Sequence, residues 1–146
     1  MTTTVLASRV PKSLAGYPHL LASREFLVKK ETIRLFCRIT GDKNSLHRSN
    51  ASAKEEGFKA AIAAGMFISS RAVGFITEYY PRPIAKEVHL YFMAPVYPGE
   101  VIKVSLIVTA EEEKIRSRRK RVFLEFVAFG PHRVVAHGTT EFVVRI

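Results

Sequence analysis

The 146-residue sequence predicts one α+β domain in which a curved antiparallel sheet wraps a long central helix. Three observations support this. Residues 65–80 carry apolar side chains on nearly every side of a helical projection, four period-two stretches follow, and a further strand-like segment lies upstream.

Residues 1–22 read as an N-terminal arm, since 1–20 show no periodicity and contain Pro11, Gly16 and Pro18; the domain proper is expected over 23–146. Ser23–Lys29 (SREFLVK) has strand character. Glu31–Thr40 (ETIRLFCRIT) places Ile33, Phe36, Cys37 and either Ile39 or Thr40 near one helical face, and Gly41 is a natural stop. Ser52–Gly57 suits one or two helical turns, with Asn50 as N-cap and Gly57 as stop.

Gly65–Tyr80 (GMFISSRAVGFITEYY) is then expected as a largely enclosed helix closed by Pro81. After Pro83, Val88, Leu90 and Phe92 alternate against Glu87, His89 and Tyr91, and PVYPGE at 95–100 makes a turn. Ile102, Val104, Leu106 and Val108 alternate next, then Val122, Leu124, Phe126 and Ala128. Val134–Arg145 forms a last strand after the turn GPHR. An antiparallel meander is expected, and no repeat, low-complexity tract or linker divides the chain.

Composition narrows the classes further. Hydrophobic residues at 47% and charged residues at 25% argue against disorder and against fibrous architectures. The longest mostly apolar stretch, 60–72, is interrupted by Gly65, Ser69, Ser70 and Arg71 and is too short for a membrane span. The opening MTTTVLASRVPKSLAG lacks the apolar core of a secretory signal, although its basic, acid-free character leaves an organelle-targeting reading open. A single cysteine, Cys37, cannot form an intrachain disulfide or a zinc-thiolate cluster, which fits a reducing compartment with the cytoplasm as default. The net charge of +10 would attract polyanions such as nucleic acid, acidic carrier proteins or phosphorylated cofactors.

The polar segment Gly41-Asp42-Lys43-Asn44-Ser45-Leu46-His47 begins where the first helix is expected to end. Asp42 and His47 supply a carboxylate and an imidazole, groups that relay protons near neutral pH, and Asn44 can orient one of them or a water. Asp and Asn are equally ordinary turn residues after a helix, so the residue types alone leave both readings open.

The run ITGDKNSLHRSNASAKEEGF closely resembles the hydratase motif of the MaoC-like, (R)-specific enoyl-CoA hydratase and dehydratase family, roughly G-D-x-N-P-[apolar]-H. The similarity extends to IAAGMFISS, resembling the family's turn into its central helix, and to YFMAPVYPGEVI, resembling its Phe-x-x-Pro-Val-x-x-Gly-Asp turn; it covers roughly residues 24–146. This resemblance implies a single hotdog fold with Asp42 and His47 as a catalytic dyad that moves water and protons, and Asn44 as its support. It further implies that the Gly65 backbone N–H, at a helix N-terminus, donates to the thioester carbonyl. Ala64, Met66 and Val73 would line the substrate pocket, with Ala64 standing where the family commonly has His and Val73 where some members have Ser. Ser45 replaces the motif's Pro.

Implied with the family are acyl thioester substrates carried on coenzyme A or the phosphopantetheine of an acyl-carrier protein, no metal or redox cofactor, and a homodimer. A silent or repurposed domain that binds acyl thioesters or a protein partner is the alternative from another class; thioester hydrolysis is a third reading. Lys114, Arg116, Arg118, Arg119, Lys120 and Arg121 place six cations within eight residues, directly after Glu111, Glu112 and Glu113. They suit either a solvated hairpin end or a contact for coenzyme A phosphates or an acidic carrier. Nucleic-acid binding is the weaker use, because Phe126 sits on the apolar alternation and only Phe123 and Phe129 could stack bases. His89, His132 and His137 lack metal-ligand spacing, and Cys37, among apolar helix residues, reads as a small core residue.

Overall fold

The computed structural model describes residues 19–146, so the expected N-terminal arm lies, up to residue 18, outside the described residues. Five strands and three α-helices make up the rest. In chain order they are β1 (Leu20–Leu27), α1 (Lys30–Thr40), α2 (Asn50–Glu55), α3 (Gly65–Ile76), β2 (Ile84–Phe92), β3 (Val101–Lys114), β4 (Arg119–Phe129) and β5 (Val134–Arg145). Short 3₁₀ turns occupy Ser45–His47 and Ile115–Ser117. Among the described residues, no helix is long and apolar enough to cross a membrane.

The strands form one antiparallel sheet in the order β1-β3-β4-β5-β2, curved around α3. Val104, Leu106, Val122, Leu124 and Phe126 are at most 1% exposed and pack with Phe67, Ile68 and Phe75 of α3. Burying each large side chain of this kind contributes about 1.5–3 kcal/mol, so the alternating faces of β3 and β4 hold the helix in place.

Several expectations need correction. The strand expected at 23–29 starts at Leu20, because the backbone of Leu20 and Ala22 already pairs with Ile107 and Leu106 of β3. The meander holds for β3, β4 and β5 only. β2 pairs with β5 and forms one edge, and the 93–100 connection crosses the end of the sheet to reach β3. Backbone bonds fix that crossing: Ala63 N–H donates to Val96 O at 2.8 Å, and Gly99 N–H donates to Val28 O at 2.8 Å.

Helix α2 is capped by Ser49, whose side chain accepts from Ser52 N–H at 3.2 Å, and not by Asn50. Asn50 Oδ1 accepts instead from Ala61 N–H, tying α2 to the approach to α3. Helix α3 stops at Ile76, four residues early, where Thr77 bonds back to Gly74 O at 2.6 Å. Nor is it enclosed all round, for Met66 is 54% exposed and Arg71 lies at the surface. One sheet covers one side of a helix and leaves the other side open.

Candidate active site

Helix α1 ends on Gly41, whose φ of 74° turns the chain out of the helix in a conformation that glycine adopts without steric cost. The loop is then built by its own side chains. Asp42 Oδ1 accepts from Asn44 N–H at 2.9 Å, and Asn44 Oδ1 accepts from Leu46 N–H at 3.1 Å, capping the 3₁₀ turn that presents His47. The Arg48 guanidinium donates to Lys43 O and closes the loop from outside.

His47 is clamped from a distant part of the chain. Its Nδ1 lies 2.9 Å from Ile62 O, and Ile62 N–H donates to Leu46 O at 2.9 Å. A carbonyl only accepts, so Nδ1 carries a proton, and a ring with that single proton turns its Nε2 lone pair outward. That nitrogen lies 3.6 Å from Asp42 Oδ2, with the His47 side chain 10% exposed and the Asp42 side chain 31%. The separation is too long for a direct hydrogen bond. It presents two acceptors side by side, to which one water could donate both its protons.

Beside His47 opens a cleft of about 340 Å³, lined also by Phe58, Gly65, Phe92, Met93 and Pro95. Gly65 opens α3, whose N-cap Ala64 offers no side-chain bond to the first-turn N–H groups. Gly65 itself lines the cleft, so the N-terminal end of α3, with the positive end of its dipole, borders it. A Cβ at Gly65 would stand 2.6 Å from the Phe92 ring, so the glycine is required by this packing. The Asp42–His47 pair, the helix start and the apolar wall thus come from four separate segments.

A family model described as MaoC like domain matches residues 17–128. The chain belongs to the MaoC-like family. It is 32% identical over 72 residues to a mitochondrial 3-hydroxyacyl-[acyl-carrier-protein] dehydratase of Arabidopsis thaliana, a match covering 49% of this chain and 43% of that protein. The matches span less than half the length of each curated relative. Among solved structures, an (R)-hydratase from A. caviae described as involved in PHA biosynthesis superposes with a TM-score of 0.74 at 22% identity, covering 86% of this chain and 93% of that one. An R-hydratase from Pseudomonas aeruginosa in its unliganded form gives 0.69 at 27% identity, covering 86% and 84%. These neighbours place the MaoC-like chain in the hotdog fold.

The structure distributes the remaining expected site residues differently. Ala64 is buried in the core at 4% exposure, Met66 faces outward, and Val73 is half-buried two helical turns beyond Gly65, so none of the three lines the cleft beside His47. The sequence reading missed Phe58, Phe92, Met93 and Pro95. All four lie within two of the three stretches that resemble the family, so position in the motif was their only signal.

Lys120 pairs with Glu111 and Glu113, and Arg121 pairs with Glu112 and Glu141, whereas Arg118 and Arg119 are exposed at the β3–β4 tip. Cys37 is 3% exposed; burial, then the nearby charge of Asp42, pushes its thiol up, away from nucleophilic use. His137 stacks on Tyr91 at 4.7 Å on the outer face of the sheet, and burial pulls its pKa down.

Proposed function

We propose that this MaoC-like chain is a hydro-lyase that reversibly hydrates trans-2-enoyl thioesters to (3R)-hydroxyacyl thioesters carried on coenzyme A or an acyl-carrier protein. The observation behind this reading is the pair of outward acceptors, His47 Nε2 and Asp42 Oδ2, 3.6 Å apart beside a cleft that a helix N-terminus borders. Water held by both acceptors adds its oxygen to the β-carbon, and the dyad takes up one proton. The π electrons move onto the thioester oxygen, where the Gly65 N–H stabilises the enolate-like charge, and the stored proton is then delivered to the α-carbon. Dehydration retraces these steps. The net change is addition of one water, so electron balance calls for no redox partner, and the reading includes no metal.

The family assignment and the relatives described as dehydratases and hydratases support the reaction class. The single buried cysteine suits a reducing compartment such as the cytoplasm. The test is loss of enoyl-thioester absorbance with crotonyl-coenzyme A and longer homologues. Asp42→Asn or His47→Ala should lower kcat/KM at least about 100-fold, as loss of general acid–base catalysis does. Absence of turnover on every chain length and both carriers would instead favour a silent acyl-thioester-binding domain.

The reading includes a homodimer joined along β2. This edge exposes Ile84 (56%), Val88 (38%) and Phe92 (55%) beside the polar side chains of Lys86, Glu87 and His89, whereas Arg24 of the opposite edge, β1, is turned onto Glu78 and the Phe75 ring of its own chain. An exposed edge strand with large apolar side chains calls for a partner strand. β2 is also self-complementary. In an antiparallel pairing centred on Val88, Glu87 of each copy faces His89 of the other, and Ile84 faces Phe92.

A further inference from the structure

The cations at the β3–β4 tip are far from the dyad of their own chain. Phe92, at the cleft, pairs with Ala136, which pairs with Ala128 of β4. From Ala128 to Arg119, β4 runs about 30 Å at roughly 3.3 Å per residue, toward the opposite end of the sheet. A phosphopantetheine arm, comparable to about five residues of extended backbone or roughly 17 Å, cannot bridge that span.

A second copy along β2 changes the geometry. In the pairing centred on Val88, the Phe92 end of one strand lies beside the Ile84 end of the other. Ile84 pairs with Val143 of β5, and Arg145 of β5 pairs with Arg119 of β4. Counting strand spacings of about 4.8 Å sideways and two residues along the strand sets Arg119 of the second copy about 16 Å from the first copy's Phe92. That distance matches the arm.

The tip is also charged in a way that suits an anion. Lys120 and Arg121 are held by glutamates, but Lys114, Arg116, Arg118 and Arg119 are exposed and make no ion pair among the described residues. Arg118 turns the chain with a φ of 49°, where Gly or Asn would be the easier residue. Neutralised cations thus sit on the strand and free ones at its end.

We propose that Arg118 and Arg119 of each subunit bind the phosphate end of the phosphopantetheine arm whose thioester occupies the other subunit's cleft. This inference rests on the hydro-lyase and β2-dimer reading above. Arg118→Ala/Arg119→Ala homodimers should raise KM for crotonyl-coenzyme A about tenfold relative to KM for phosphate-free crotonyl-pantetheine, as loss of charge-assisted phosphate bonds does.

The deciding measurement uses differentially tagged heterodimers of an Asp42→Asn subunit and an Arg118→Ala/Arg119→Ala subunit. Their working cleft belongs to the arginine-depleted chain, while the intact tip belongs to the other. A wild-type KM for crotonyl-coenzyme A supports recognition in trans; a KM as high as that of the arginine-depleted homodimer overturns it. Coenzyme A affinity is titrated on the same heterodimers. Binding restored in trans without turnover in any form would sink the hydro-lyase reading alone, and turnover with no restoration would sink this inference alone. Repeating the series with crotonyl-acyl-carrier protein shows which carrier supplies the phosphate, by which substrate's KM responds more to the tip.

Discussion

At the residue scale, the proposed chemistry depends on which nitrogen of His47 is free, and the Ile62 carbonyl occupies Nδ1. Gly65 holds an equally narrow position, since an added methyl group meets the Phe92 ring at 2.6 Å. Gly65→Ala should therefore cost about 1–3 kcal/mol of stability through overpacking and lower kcat/KM; Phe92→Leu in the same chain should restore part of both, measured by urea unfolding and turnover. Ser69 is a contrasting case. Its hydroxyl is buried without a hydrogen-bond partner among the described residues, so Ser69→Ala should stabilise the fold by about 1 kcal/mol, read as a higher urea midpoint at unchanged m-value. His137 links stability to pH. Burial lowers its pKa below the ordinary 6.5, so the unfolded chain binds a proton that the folded chain resists. Stability should be full above about pH 6.5 and fall as pH drops toward the lowered value, and His137→Phe should flatten that slope in denaturation curves taken between pH 7 and 5.

At the element scale, the loop that carries Asp42 and His47 is held by short pieces that would not persist alone. Helix α2 has six residues, too few for an independent helix, and gains its start from the Ser49 cap and its anchorage from Asn50. Ser49→Ala should cost about 1 kcal/mol, detected as a lower thermal midpoint. The strands of the central sheet were legible by alternation: Ile102, Val104 and Leu106 face inward as their spacing indicates, as do Val122, Leu124 and Phe126. Helix ends were less so. Thr77 and Ser49 act through side-chain bonds that several neighbouring residues could equally have made.

At the scale of the whole molecule, β2 departs most from the sequence reading. Its alternation marks a strand but carries no information about the neighbour, and the chain places it against β5 at an edge. That edge is where a second copy is proposed to join. Val88→Lys should set like charges opposite each other at the centre of the pairing and shift the sedimentation profile to monomer, with far-UV circular dichroism confirming that the fold is kept. A wild-type protein sedimenting as a monomer at micromolar concentration would remove the dimer.

The sequence by itself determined the fold class and the family, and it pointed to the residue types of the proposed dyad, because hydrophobic period and motif spacing are local properties that neighbouring residues carry. Only the tertiary structure decided the tautomer of His47, the 3.6 Å between Nε2 and Asp42, and the replacement of Ala64, Met66 and Val73 by Phe58, Phe92 and Met93 as the cleft's wall. Those features arise between segments far apart in the chain. Their geometry depends on how the 93–100 connection and the approach to α3 pack across the end of the sheet, and no pattern within either segment encodes that packing.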